Sequence, residues 1–263
     1  MIPNACVTPI PQVASENDGT LVYYHARMCS HYQAERDRKK LERMGVRVPD
    51  DWGPPEGMWD IYPTLLAPII RRLEGFQTVG ENASPLELVQ AHFGLLPGFA
   101  KDIGFGKHTY NARTETVAEK PSFKHAWSKA RHCIVPCEAI FEPDWRSGKS
   151  VPTRITRADG QALGIAGIWQ PWKTPKGTWT VSFAMLTINA DTHPIFRELH
   201  KPDPKVPVDR QDKRMVVILP EESYVPWLDA SVEQSWDFMC QFPAAKLNAR
   251  AMSGKQESGT LDF

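Results

Sequence analysis

A chain of 263 residues and 29.7 kDa, 41% hydrophobic and 24% charged, carries enough apolar material for one large core or two small ones. Its 31 Lys and Arg balance 31 Asp and Glu, so no global field draws it to nucleic acid or an anionic membrane, and any polyanion site must be a local cleft. Five cysteines are odd in number and too sparse for a disulfide-stapled secreted domain, and no apolar run reaches the roughly 18 residues of a membrane span, so a reducing cytoplasm is the expected compartment.

In chain order, residues 1–27 show no sustained period and are broken by Pro3, Pro9 and Pro11, which excludes the apolar core of a signal peptide and reads as a disordered leader. The charges from Ser30 to Met44, with Tyr32, Leu41 and Met44, predict a helix ended by Gly45. PDDWGPPEGMWDIYP, residues 49–63, is a loop by its prolines and glycines.

Beyond it LAPII, ELVQAHFGLLP, HCIVPCEAIFEP, VPTRITRADGQALGIAGIWQPW, TWTVSFAMLTI and RMVVILP are short, β-branched runs that predict strands. SPLELVQAH also fits a helix, although Phe93-Gly94 can continue it as a strand. ADG at 158–160 and TPKG at 174–177 read as hairpin turns, each placing Gly where a positive φ costs little. KPSFKHAWSKA and EESYVPWLD are short surface helices. The expected architecture is α+β, a mainly antiparallel sheet or barrel-like core with peripheral helices, in one domain over 28–263.

Several polar or reactive residues have plain structural explanations. Cys133 and Cys137 lie in an apolar strand run and lack further ligands at zinc spacing, so they read as buried small hydrophobes and no metal site is expected. Trp169, Trp172 and Trp179 suit packing better than a base-stacking platform. TYNARTETVAEKPSF differs, because Asn111, Arg113 and Glu115 share one face if the segment is extended, a costly arrangement unless something polar meets it. Glu142 follows an apolar run, where desolvation raises a carboxyl pKa. His200 lies in a proline-flanked loop, and Met28-Cys29 puts a thiol directly behind a methionine.

MCSHYQ, FGLLPGFA, TYNARTET, CIVPCEAIFEPDW, IAGIWQPW, MLTINA and LH followed by KRMVVIL occur in the order and approximate spacing of the SOS response-associated peptidase (SRAP) family. The chain resembles that family from Met28 to about Leu228. The resemblance implies an α+β fold around antiparallel strands that form a cleft for single-stranded DNA, and recognition of abasic sites through a covalent link to a cysteine. Cys29 then matches the cysteine that becomes the mature N-terminus after loss of the initiator Met, which makes Met28 the expected start of the working protein, or else requires that residues 1–28 be removed. Asn111 and Arg113 match the Asn-Ala-Arg motif, Glu142 the glutamate after the central strand, and His200 the histidine ahead of an Arg-Met-Pro-Val-Ile-Leu-type strand.

Three departures matter. His31 stands where the family's Met-Cys-Gly-Arg has arginine, so one phosphate contact becomes weaker or pH-dependent. Phe99 and Ala100 replace the paired tryptophans of some members, which makes a smaller stacking wedge. KPDPKVPVDRQDK separates His200 from Arg214, where one or two residues are usual, and His193 becomes a rival for the acid-base role.

The implied chemistry has a physical basis. An N-terminal cysteine offers an α-amine of pKa about 7.7 to 8.0, partly neutral where lysine is not, with a thiol beside it to close a five-membered thiazolidine on a sugar aldehyde. In that scheme Glu142 shuttles protons, Asn111 holds the amine, His200 protonates the opening sugar oxygen and Arg113 binds phosphate, with His31 and Phe99 also on the DNA. No cofactor is implied, and a monomer is expected. Two other classes fit the same residues: a thiol peptidase, self-cleaving ahead of Cys29, and a noncovalent reader of modified DNA.

Overall fold

A computed structural model describes residues 29–50, 52, 59–73, 86–207 and 211–252. Met28 and the predicted leader lie outside the described residues, as does most of the loop between Asp51 and Met58.

The centre of the molecule is one strand, β6 (His132–Asp144), whose apolar run HCIVPCEAIFEPD is buried at most positions. One edge of β6 pairs with β3 (Leu66–Arg72) and then β1 (His31–Ala34), and the opposite edge with β8 (Leu163–Lys173) and then β7 (Val151–Arg157). The circuit closes through β4 (Leu86–Phe93) and β9 (Trp179–Asn189), since β3 pairs β4, β4 pairs β9 and β9 pairs β8. Closure removes the exposed edges that an open sheet would carry, and gives a barrel-like core in which most pairs are antiparallel and β4 with β9 is parallel. Short strands dress its rim: β2 (Asp60–Ile61) on β1, β5 (Asn111–Arg113) in parallel on β9, β10 (Arg214–Val216) on β9, β11 (Ile218–Leu219) on β8, and β12 (Leu247–Ala251) on β7. The helices are α1 (Arg38–Arg43), α2 (Lys124–Ser128) and α3 (Tyr224–Asp229), with several 3-10 turns.

The core packs Tyr32, Phe93 and Phe183 inside the barrel, with Phe93 stacked on Phe183 at 5.2 Å and edge-on to Tyr32 at 5.3 Å. Outside it Trp127 and Trp227 are fully buried, and Trp227 Nε1 donates to the Cys133 carbonyl at 2.9 Å. Both short helices are therefore bolted to the sheet by tryptophan and are not surface ornaments. Gly94 ends β4 at φ +116 and packs against Gly106, where a Cβ would lie 2.4 Å from backbone atoms. That close approach folds the segment carrying Phe99 back over the barrel end.

Several local expectations fail for identifiable reasons. Residues 31–34 are strand, because Tyr32 and Ala34 alternate inward against β6; the helix begins only after Asp37, whose side chain accepts from Lys39 N and Lys40 N. SPLELVQAH resolves as strand β4. The ADG turn joins β7 to β8, but the two strands do not form a hairpin, since each pairs with a different half of the long β6. TPKG is a hairpin turn, with Gly177 at φ +87 and Lys173 opposite Trp179. Asn111, Arg113 and Glu115 do not share an extended face, because β5 ends at Arg113 and Glu115 lies in a 3-10 turn.

Candidate active site

The site is assembled at the C-terminal end of β6. Register His31 to Phe141 brings the residues just ahead of β1 alongside Glu142, and beyond the start of β1 the same edge is taken over by Leu199, which bridges Asp144. His200 N then donates to the Pro143 carbonyl at 2.8 Å. Two remote segments thus converge on one carboxylate.

Glu142 Oε2 accepts from the Cys29 backbone nitrogen at 3.2 Å and lies 2.8 Å from His200 Nε2. Cys29, Glu142 and His200 are 2%, 2% and 5% exposed, so water does not screen these contacts. The contact is made through Nε2, and Nδ1 is buried with no hydrogen-bond partner among the described residues. His200 has φ +66, a left-handed conformation that is uncommon away from glycine and occurs at functional sites held by their surroundings. Burial, then the charge of Glu142, pushes the Cys29 thiol well above the ordinary cysteine range. The resting thiol is therefore protonated.

Asn111 opens β5 opposite Met185, partly buried. Arg113, half exposed, donates to Asp212 Oδ2 at 2.7 Å. Asp212 also accepts from Arg214 at 3.3 Å, and the buried Arg214 grips Glu115 through two bonds of 2.6 and 2.7 Å and donates to the Thr187 carbonyl. Burial would raise the Glu115 carboxyl, but Arg214 overrides it and holds Glu115 below its usual range.

His31 is stacked between Tyr62 and Phe141 at 4.4 and 4.2 Å and pairs with Asp60 through Nε2 at 2.7 Å. Burial lowers its pKa despite Asp60, so at neutral pH it offers an aromatic face and not a charge. Phe99 is 58% exposed and edge-on to Phe105, beside a cavity of about 350 Å³ that also touches Lys101, Asp102 and His108. Trp169 and Trp172 are buried, whereas Trp179 is exposed.

His193 is built into a different place. Its Nε2 bonds the Phe242 carbonyl at 2.8 Å, and its Nδ1 accepts from Ile195 N and Phe196 N at 3.1 and 3.3 Å, so both nitrogens serve structure. Sequence reasoning also overlooked Asp60, Asp212 and Lys213. The only available signal was that the last two close the long segment between His200 and Arg214.

A barrel-centred α+β protein with a buried cysteine, glutamate and histidine on one strand end is what the fold and site define. The chain belongs to the SOS response associated peptidase (SRAP) family, whose profile matches residues 28–255. A crystal structure of a Bordetella bronchiseptica protein is 40% identical, with a TM-score of 0.73 over 86% of this chain and all of that one. A Bacteroides thetaiotaomicron structure shares the fold at 22% identity and a TM-score of 0.67, over 86% of this chain and 92% of that one. Among named relatives, the Bacillus subtilis abasic site processing protein YoqW is 29% identical over 153 residues, 58% of this chain. The rat abasic site processing protein HMCES is 24% identical over 57% of this chain and 51% of its own length. The match to YoqW spans 62% of that relative's length. No helix among the described residues is long and apolar enough to cross a membrane.

Proposed function

We propose that the protein acts on abasic sites in single-stranded DNA and joins itself to them through Cys29. The observation that carries this reading is the contact of the Cys29 nitrogen with Glu142 Oε2, on the same oxygen that His200 Nε2 approaches. Relatives named for abasic site processing supply the substrate class.

The reading requires Cys29 to be the first residue of the acting species, because an amide nitrogen has no lone pair to offer. Once freed, the α-amine sits against a carboxylate that can take its proton. The amine nitrogen bonds to C1 of the ring-opened sugar; the aldehyde oxygen, protonated through Glu142 and His200, leaves as water. The Cys29 sulfur then bonds to the same carbon, and its proton passes to the nitrogen, so one water is lost in all. A thiol kept protonated until this step suits it as the second nucleophile, since the amine acts first. Arg113 pairs with a phosphate, Asn111 helps hold the amine, and His31 and Phe99 give aromatic surface to neighbouring bases.

The family's peptidase description favours a second reading, in which Cys29 attacks an amide and self-cleavage frees its own nitrogen. A buried thiol beside a carboxylate weighs against it, because that chemistry needs a thiolate. A chain beginning at Cys29, incubated with single-stranded oligonucleotide bearing one abasic site, is expected to give a band shift that survives denaturation. A reduced analogue lacking the aldehyde should bind without that product, and equal cross-linking by the analogue would rule out aldehyde capture.

A further inference from the structure

We propose that Lys213 is a positioning residue for His200, a side-chain strut that ties this histidine to the start of the following strand across the segment 201–213. The proposal rests on the reading of His200 as the acid-base partner of Glu142. Residues 201–213 separate His200 from Arg214, so the backbone of β10 no longer dictates where His200 sits. A loop of that length leaves its far end free to wander unless something ties it.

One side chain makes the tie. Lys213 Nζ donates to the Leu199 carbonyl at 2.7 Å and to the His200 carbonyl at 3.0 Å. Lys213 is itself locked at both backbone atoms: its N donates to Asp191 Oδ1 at 2.7 Å, and its carbonyl accepts from Ala190 N at 2.6 Å. The strut therefore runs from the end of β9 to the histidine. From the other side, the amide of His200 is held by Pro143 at 2.8 Å. A left-handed residue at φ +66 is thus pinned at its nitrogen by β6 and at its oxygen by Lys213, which fixes the direction in which the ring leaves the backbone. Burial lowers the Lys213 pKa, with Glu198 and Asp191 opposing, as expected for an ammonium drawn off the surface to reach carbonyls.

The test compares Lys213→Met, Lys213→Gln and Lys213→Arg in the chain beginning at Cys29. Three quantities are read: single-turnover cross-linking at saturating abasic oligonucleotide, affinity for the reduced analogue, and the His200 ring signals by nitrogen NMR. Lys213→Met is expected to slow cross-linking by about 10- to 100-fold, the penalty of roughly an ångström of misplacement, with affinity unchanged and the His200 signals shifted while those of His193 stay. Lys213→Arg should recover most of the rate. Lys213→Gln keeps an NH₂ donor group on a shorter, uncharged side chain and should fall between, which preserves the test if Lys213→Met fails to fold. Unchanged His200 signals in Lys213→Gln or Lys213→Met, with a wild-type rate where the protein cross-links, would overturn the proposal. If the wild type forms no cross-link, the reading of the site fails, and the NMR comparison still decides whether Lys213 fixes the ring.

Discussion

Glu142 Oε2 and His200 Nε2 stand 2.8 Å apart with 1% and 5% of their side chains exposed, a hydrogen-bonded pair in near-complete isolation from water. Glu142→Gln preserves the shape but removes the proton acceptor. Cross-linking should therefore slow by roughly 10² to 10⁴ in single-turnover assays, while binding of the reduced analogue is kept. Wild-type rates across the pH range would leave Glu142 as a structural residue only.

The two rival histidines separate by what each supports. His200→Ala should abolish rapid cross-linking in the molecules that fold, and should also lower the unfolding midpoint, because it leaves the buried Glu142 carboxylate without its partner. His193→Ala breaks the bond to Phe242 and uncaps Ile195 and Phe196, and should cost about 2 to 3 kcal/mol of stability by urea titration while the residual folded protein keeps its cross-linking rate. The reverse pattern would assign the chemistry to His193.

Cys29 should alkylate slowly. Burial and then Glu142 penalise its thiolate, so at pH 8 its ionised fraction lies below that of an ordinary cysteine, and Glu142→Gln, by removing a negative charge, should speed iodoacetamide labelling followed by mass spectrometry. The same sign governs stability: a thiol raised in the folded state favours folding fully below its unfolded pKa of about 8.5 and loses that contribution as pH climbs above it. Fast labelling at neutral pH would contradict the buried, protonated thiol.

Arg113, the proposed phosphate contact, is already paired with Asp212 at 2.7 Å. Both partners are about half exposed, so the pair is worth only about 0.2 to 1 kcal/mol. Asp212→Asn should accordingly tighten single-stranded DNA binding about two- to fivefold at low salt, measured by fluorescence anisotropy, with the gain fading as salt rises. Weaker binding would mean that Asp212 orients Arg113 and does not compete for it.

The sequence exposed most of the barrel but little of its closure. HCIVPCEAIFEP reads as a buried strand because it is apolar and β-branched, and TPKG as a hairpin because Gly177 needs a positive φ. Tyr32 and Ala34 were hidden in a charged run whose composition favours helix, and only pairing with β6 reveals their alternation. The ADG turn has hairpin chemistry, yet β6 is long enough to claim both flanking strands separately. Cys29, Glu142 and His200 could be singled out by residue type and family pattern, whereas their meeting depends on the edge that β1 and Leu199 share. Lys213 had no signature beyond its place at the end of the long segment after His200: its role is a reach across a loop to two carbonyls, which no local pattern encodes.

The central claim is that both the nitrogen and the sulfur of Cys29 bond to one sugar carbon. The most direct measurement is the intact mass of the product formed by the chain beginning at Cys29 with an abasic oligonucleotide, followed by fragmentation to locate the link. The account predicts a mass equal to the two components less one water, a link confined to Cys29, no reaction of its sulfur with iodoacetamide, and no product when Met28 still precedes it. A link on any other residue, a free thiol at Cys29 in the adduct, or an equal yield with Met28 retained would contradict it.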